Sequence, residues 1–298
     1  MTIAQLEYLI AVANYGSFST AAEKCFVTQP SLSIQIKNLE DELGVILLDR
    51  SRKPVVPTET GNLIIEQAQE AIYSFSKIKD CIDSIKGTIA GELRVAIIPT
   101  IAPYWVHRLA PAIIKKYPQV RLYINEMITP NIIESLHKGQ IDVGILAEGF
   151  VPSDIQEEKI ASDAFFAFIS PQHPLSDKKE IELSDLKNHK IILLTEGHCF
   201  RDQVMSLCSY SKRENQSLTI ECGSIETLIR ITLSTKAMTV IPQMALPYIG
   251  EKLRPCIRPI KEKEAHRVIT LARGKHTVKN SLIHALKMEL LEIASSLP

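Results

Sequence analysis

The sequence predicts an α/β protein in three parts: an N-terminal winged helix-turn-helix, a long linker helix and a two-lobed α/β domain. Three observations carry that prediction. Short helical patterns followed by a hairpin with a cationic tip fill residues 1–58. A proline-free heptad pattern follows over residues 61–86. From residue 93 onwards, strand-like and helix-like runs alternate at the spacing of βαβ units.

Bulk properties bound the reading. The 298 residues exceed one typical domain. Lys plus Arg and Asp plus Glu each number 34, so attraction to a polyanion must come from local placement of charge. Met1-Thr2-Ile3-Ala4-Gln5-Leu6-Glu7 has no basic region ahead of an apolar one, so no signal peptide is expected. No apolar run reaches the ~18 residues of a membrane span, and no membrane partner is expected. The six cysteines, Cys25, Cys81, Cys199, Cys208, Cys222 and Cys256, are scattered and form no CxxC pair. The expectation is a cytoplasmic protein with reduced thiols, no metal and no cofactor, in which any disulfide is transient and functional.

Thr2 is placed to cap a helix running to about Tyr15. Ile3, Leu6, Leu9, Ile10 and Ala13 share one face, and Gly16 is the stop. Ser19 or Thr20 is expected to open a second helix, with Glu23 completing a capping box from Thr20 and a stop near Val27. Thr28 caps a third helix with Pro30 in its first turn, Leu32, Ile36, Leu39 and Leu43 on the buried face, and Gly44 as the stop. The basic turn Arg50-Ser51-Arg52-Lys53-Pro54 lies between Val45–Asp49 and Val55-Val56-Pro57, which reads as a wing. The plainer alternative is a small helical bundle with no DNA role, because residues 1–58 hold five basic and six acidic side chains. Placement argues against it: four of the five basics are Lys37, Arg50, Arg52 and Lys53, on the third helix and the wing.

Phe18-Ser19-Thr20-Ala21-Ala22-Glu23, then Val27-Thr28-Gln29-Pro30-Ser31-Leu32-Ser33, then Leu39-Glu40-Asp41-Glu42-Leu43-Gly44 form a long ordered pattern. It continues through Leu47-Leu48-Asp49-Arg50 and Thr58-Glu59-Thr60-Gly61. This resembles the winged helix-turn-helix of LysR-type transcriptional regulators. The resemblance implies that the third helix enters the major groove of double-stranded promoter DNA. Thr28, Gln29, Pro30, Ser31, Ser33 and Lys37 would face DNA, with Arg50, Arg52 and Lys53 on phosphates. Ile34 stands where many members carry arginine, which exchanges a guanine contact for an apolar contact to a thymine methyl. The same family implies that the C-terminal domain is periplasmic-binding-protein-like.

Ile64, Ala68, Ala71, Phe75, Ile78, Ile82 and Ile85 are spaced alternately four and three apart. That is a heptad seam, expected to pair two copies of the chain; packing on its own domain is the alternative. Cys81 lies beside the seam. Gly87 and Gly91 bracket a hinge. The expected domains are therefore 1–58, 59–87 and 88–298, the last divided into lobe I (88–162 and 268–298) and lobe II (163–267).

In the last domain, strands are expected at 93–98, 120–126, 141–146, 165–170, 191–194, 218–221, 239–242 and 268–272. Helices are expected at 103–116, 131–138, 201–208, 227–233 and 278–294, and the order implies a parallel sheet whose chain crosses between lobes near 163 and returns near 267. Thr100 and Thr129 each follow a strand and are pocket candidates, a helix cap being the alternative. His173 and His189 are expected in loops. No GxSxG, Walker loop, HExxH or dinucleotide fingerprint occurs, so no enzyme is expected.

Cys199 and Cys208 stand nine residues apart in Gly197-His198-Cys199-Phe200-Arg201-Asp202-Gln203-Val204-Met205-Ser206-Leu207-Cys208. In a helix they would lie about 13 Å apart, at ~1.5 Å per residue. A disulfide needs α-carbons within ~7 Å, so joining them requires the segment to unwind. His198 and Arg201 flank Cys199 at a helix start, a setting that favours a thiolate, and Asp202 could hold Arg201 or pass a proton. Two ordinary buried cysteines are the plainer alternative. The segment resembles the sensing region of peroxide-responsive LysR-type activators. That resemblance implies that Cys199 reacts with hydrogen peroxide and Cys208 resolves the product. It further implies that Thr100, Thr129, His198 and Asp202 bind peroxide, with Arg201 supporting. RNA polymerase, a dimer or tetramer of the chain, and a thiol reductant such as glutaredoxin or thioredoxin are the implied partners. Cys222 is a third thiol within reach. A metabolite-sensing regulator with incidental cysteines and a thiol peroxidase are the alternatives.

Overall fold

The chain divides into two units, one of Met1–Ile89 with His276–Ser281 and one of Ala90–Lys275 with Leu282–Pro298. The computed structural model describes residues 1–86, 89–189, 191–208, 222–274, 277 and 279–296.

The first unit opens with α1 (Ile3–Tyr15), α2 (Phe18–Lys24) and α3 (Gln29–Leu43). Thr2 and Gln5 form a capping box at the head of α1, and Gly16 ends it in the left-handed conformation, φ 62°. The head of α2 differs from expectation. Ser17, extended at φ −150°, accepts a hydrogen bond from Thr20 N at 3.3 Å. The helix therefore starts before Ser19 and Thr20, and it ends at Lys24 rather than near Val27. Thr28 caps α3 by accepting from Ser31 N, and Gly44 closes it at φ 68°. Leu6, Leu9, Val12, Leu32, Ile36 and Leu39 meet Ala21 and Ala22 in the buried centre of the three helices. The wing is β1 (Leu48–Asp49) antiparallel to β2 (Val56–Pro57).

The linker is α4 (Glu59–Lys86). Thr58 Oγ1 accepts from Gly61 N at 2.9 Å and donates to Ile46 O at 2.8 Å. A Cβ on Gly61 would lie 2.0 Å from Leu47 O, so only glycine lets α4 approach the wing this closely. The heptad seam serves two surfaces. Ala68 is buried and Ile64 packs against the three-helix core, so the first turns satisfy the alternative reading of a helix packed on its own domain. Further along, Phe75 and Ile78 are 57% and 59% exposed. The side chains of Cys81, Ile82 and Ile85, and all of Gly87, lie outside the described residues.

The second unit is built in chain order from β3 (Gly91–Ile97), α5 (Ala102–Lys116), β4 (Val120–Glu126), α6 (Thr129–His137) and β5 (Val143–Ala147). Next come β6 (Ile155–Ile169), α7 (Leu183–Asn188), α8 (Cys199–Cys208) and α9 (Ile225–Ser234). The unit closes with β7 (Met238–Pro242), β8 (Ile257–Pro259), β9 (His266–Gly274) and α10 (Asn280–Ser295), with two 3-10 helices between β7 and β8. The strand order is β4-β3-β5-β9-β6-β7, with β8 also on β6. β3 lies parallel to β4 and β5, as the βαβ rhythm predicts, but every pairing of β6 and β9 is antiparallel. The expectation of a parallel sheet thus holds for the first three strands, and the sheet as a whole is mixed. The expected strand at 165–170 is the end of a 15-residue β6. Its first half, Gln156-Glu157-Glu158-Lys159, carries no apolar alternation to announce a strand, because its pairing with β9 supplies the backbone partners. Residues 191–194 form single bridges to Met238 and Cys222 instead of a strand. The expected strand at 218–221 lies outside the described residues.

β6 and β9 are shared by the strands on either side. Asp163 sits opposite Arg267 in their register. Arg267 Nε donates to Asp163 Oδ2 at 2.9 Å, and both residues are buried. Lys116 ties α10 back to α5 through Glu289 at 3.0 Å and Glu292 at 2.8 Å.

Candidate functional site

The first unit presents one face of α3 to solvent. Thr28, Gln29, Pro30, Ser31, Ile34 and Lys37 are exposed, Ser33 partly so, and Ile34 reaches 58%. Leu32, Ile36 and Leu39 point the other way into the core, so helical periodicity alone sets the division. The Thr28 hydroxyl is already engaged as the helix cap. Gln5 Nε2 donates to Gln35 Oε1 at 3.2 Å, linking α1 to α3.

The wing arginines are less alike than the sequence suggests. Arg50 Nη2 meets Glu40 Oε2 at 2.6 Å, and its guanidinium lies 5.2 Å from the Phe18 ring centroid. Glu40 Oε1 also accepts from the backbone of Leu47 and Leu48. Arg50 is thus fastened into the joint between α2, α3 and the wing. Arg52 is paired with Asp49 at 3.1 Å but remains 71% exposed, and Lys53 is exposed beside it. All three cations assigned to phosphates are exposed, and Arg50 is the one also fastened to Glu40.

In the second unit Cys199 is the first residue of α8, and the helix runs to Cys208. The segment between the two cysteines is therefore helical, as expected. Cys199 is a free thiol, 2% exposed. The side chain of Cys208 lies outside the described residues.

Two contacts fix the segment that carries Cys199. Gly197 has φ +89°, and a Cβ there would lie 2.9 Å from Ile128 Cδ1, the residue before Thr129. The left-handed backbone calls for glycine, and a side chain there would also push the Ile128 methyl aside. Phe200 stacks edge-on to Phe165, with ring centroids 5.2 Å apart, and lies 5.0 Å from the Arg267 guanidinium. Arg267 Nη1 donates to Thr100 Oγ1 at 2.8 Å, and Nη2 donates to Thr100 O at 3.1 Å. The neighbours of Cys199 thus pack against Ile128 on one side and reach Thr100 through Arg267 on the other.

The expected site residues divide accordingly. Thr100, Thr129 and His198 are buried. Neither threonine caps a helix: α5 and α6 are preceded by Ile101 and Ile128, with no side-chain cap bond. Thr129 Oγ1 has no hydrogen-bond partner among the described residues. A buried hydroxyl without a protein partner is costly, and water or another small hydrogen-bonding molecule would satisfy it. Burial holds the His198 imidazole below its ordinary pKa, which keeps the ring neutral near pH ~7. Asp202 differs from expectation in being exposed, and the ion pair of Arg201 runs to Glu196 Oε1 at 3.2 Å rather than to Asp202. In the first turn of a helix Asp202 points away from its neighbour Arg201, whereas Glu196 lies just before the helix and can reach back. His173 lies in a turn, as expected, and is buried there, with Nδ1 accepting from Leu175 N at 3.2 Å and its ring 5.1 Å from that of His189. Cys222 flanks the site through its carbonyl, which accepts from Thr195 N at 3.0 Å, and burial pushes its thiol pKa up.

Two residues escaped the sequence reading. Gln203, one helical turn beyond Cys199, buries its Oε1 with no partner among the described residues. Its spacing of four from Cys199 was a usable signal. Arg267 had none, since its partners Asp163 and Thr100 are 104 and 167 residues away.

Residues 3–62 match the family model described as "Bacterial regulatory helix-turn-helix protein, lysR family", and residues 86–294 match "LysR substrate binding domain". A hydrogen peroxide-inducible genes activator from Pectobacterium carotovorum subsp. carotovorum is 32% identical, over 91% of this chain and 89% of that protein. The structure of a full-length OxyR from Pseudomonas aeruginosa, a cysteine-to-aspartate variant, is 31% identical with a TM-score of 0.78 and covers 98% of both chains. That of a cysteine-to-serine mutant of OxyR from Corynebacterium glutamicum, with hydrogen peroxide bound, is 26% identical with a TM-score of 0.65, over 99% of this chain and 93% of that one.

Proposed function

This chain belongs to the LysR family of bacterial helix-turn-helix transcriptional regulators, and on that premise we propose that it activates genes in response to hydrogen peroxide through Cys199 and Cys208. The observation that carries the reading is α8, which begins at one cysteine and ends at the other. Nine helical steps separate them by about 13 Å, and a disulfide tolerates only ~7 Å between α-carbons. Forming the bond therefore unwinds the helix, and the unwinding is the signal.

The chemistry balances on these two thiols. The Cys199 thiolate attacks one oxygen of hydrogen peroxide, the O–O bond breaks, and the departing oxygen takes up a proton and leaves as water. Cys199 is then a sulfenic acid. Cys208 attacks that sulfur, the hydroxyl leaves as a second water, and a disulfide remains. The two electrons that reduced peroxide have come from the two thiols. A dithiol reductant of the glutaredoxin or thioredoxin type returns them. The unpartnered Thr129 hydroxyl, the neutral His198 ring and the Arg267-held Thr100 supply donors and acceptors around the peroxide, which has both capacities at each oxygen. Asp202 and Arg201, lying outside this buried set, act on the shape of the helix start.

Family members bind DNA and oligomerise. Here α3 would read a promoter half-site, with Arg52 and Lys53 on phosphates. The exposed stretch of α4 around Phe75 and Ile78 would pair two copies, and the second unit would complete a tetramer. A changed spacing of DNA-binding units would then present RNA polymerase with a different surface, in the bacterial cytoplasm where the promoter lies.

Footprinting of the full chain on its own promoter, reduced and peroxide-treated, tests the reading. The footprint of the wild type should change with peroxide, and that of Cys199→Ser should not. A Cys199→Ser variant that still responds would overturn it. Response to a small metabolite surviving loss of both thiols would favour ligand sensing instead.

A further inference from the structure

Three helices of the first unit end within thirty residues of one another, and two of them end alike. Gly16 closes α1 and Gly44 closes α3, both left-handed at φ 62° and 68°. The chain leaves α2 through a left-handed residue as well, one place after its cap Cys25. Val27 N donates to Ala22 O at 3.0 Å and Phe26 N to Glu23 O at 3.3 Å, the paired bonds that turn a chain out of a helix. The residue that must be left-handed in this turn is Phe26, at φ 56°. A phenylalanine there is strained, since its Cβ crowds the following carbonyl; glycine or asparagine is the easy choice. The ring also gains nothing from the fold, because Phe26 is 95% exposed while Val27 beside it packs on the core. This side chain thus stands in the wrong conformation for its type and in the wrong solvent. The cost falls two residues before the Thr28 cap of α3, next to the exposed Gln29, Pro30 and Ser31.

We propose that Phe26 is a reading residue for duplex DNA: its ring seats against a thymine methyl at the rim of the major groove, beside the contacts made by α3. The left-handed turn leaves the ring clear of the protein, two residues before the cap of the helix proposed to enter the groove. Apolar contact to a thymine methyl is a sequence-selective interaction open to phenylalanine. Ile34, exposed on α3, offers a second apolar contact, so the chain reads thymine methyls with two side chains rather than guanines with a guanidinium. The proposal rests on the DNA-binding reading of the first unit and adds a residue outside the recognition helix.

The test uses the full chain with Phe26→Asn and Phe26→Tyr, and a duplex carrying the site that the wild type protects upstream of its own coding sequence. Asparagine suits the left-handed turn, so Phe26→Asn should unfold at a higher temperature than the wild type yet bind the duplex about fivefold more weakly. Phe26→Tyr should keep the affinity. Replacing thymines by uracil one at a time should reveal one position where loss of the methyl weakens the wild type and leaves Phe26→Asn unchanged. Equal affinity of Phe26→Asn and wild type would overturn the proposal, as would a uracil scan that does not separate them. A joint fall in affinity and unfolding temperature would assign Phe26 a structural role instead, including one in docking another protein. Failure of the wild type to protect any site would strike the DNA-binding reading itself, a separable result.

Discussion

Ile34, proposed to meet DNA, and Cys199, proposed to meet peroxide, are 58% and 2% exposed. The first unit displays its functional side chains on an outer helical face, held by caps a few residues away. The second buries its candidate residues and ties Thr100 to the antiparallel pair β6 and β9 through Arg267, by contacts that span more than a hundred residues. The difference follows from what each must meet. DNA is too large to enter a protein, so its reader must protrude. Peroxide is close to water in size and bonding, so the site proposed for it can be small and buried, with hydrogen-bonding groups such as the Thr129 hydroxyl turned into it.

Substitutions should separate the two designs. The largest effect is expected from Arg267→Ala. It strands the buried Asp163 carboxylate and releases Thr100 and Phe200, and breaking a buried pair costs about 3–5 kcal/mol. Urea unfolding should show that loss in the second unit, and an unchanged midpoint would break the picture of a pinned strand pair. In the first unit Gly61→Ala drives a methyl against Leu47 O, and an overpacking cost of about 1–3 kcal/mol is expected by the same measurement. Smaller and of another kind is the effect of Arg52→Ala and of Lys53→Ala. Each should lower the slope of log affinity against log salt by about one while leaving stability intact. Arg50→Ala should do the reverse, losing stability with Glu40 and Phe18 and changing the salt slope less. Smallest is a pH effect on the second unit. Burial holds His173 and His198 below their ordinary value of 6.5, so the unfolded chain protonates first as pH falls. The stability is full above that value and is lost as pH drops below it toward the folded pKa values, so unfolding temperatures at pH ~7.5 and ~5.5 should differ by a few degrees.

Legibility in the sequence tracks the same division. The caps Thr2 and Thr28, the glycine stops and the wing could be read because each rests on residues within one turn or one hairpin. The misplaced start of α2 shows the limit, since Ser17, Ser19 and Thr20 are all good caps and the structure uses Ser17. In the second unit the helical span between Cys199 and Cys208 was legible from its own pattern. The first half of β6 was not, because a polar strand is stabilised by the neighbour it pairs with and not by its own alternation. Arg267 stayed invisible for the same reason, and the exposure of Asp202 could not be told from a motif that places it beside Arg201. The heptad seam was correctly regular, but Ala68 shows that regularity does not say which surface a seam serves.

The account turns on α8 being intact before peroxide and undone after it. Peptide mass mapping combined with hydrogen–deuterium exchange, on the full chain before and after one equivalent of hydrogen peroxide, measures both at once. The account predicts a Cys199–Cys208 linkage together with loss of amide protection across residues 199–208. A peroxide-treated chain that joins the two cysteines while α8 keeps its protection, or that leaves both as thiols, would contradict it.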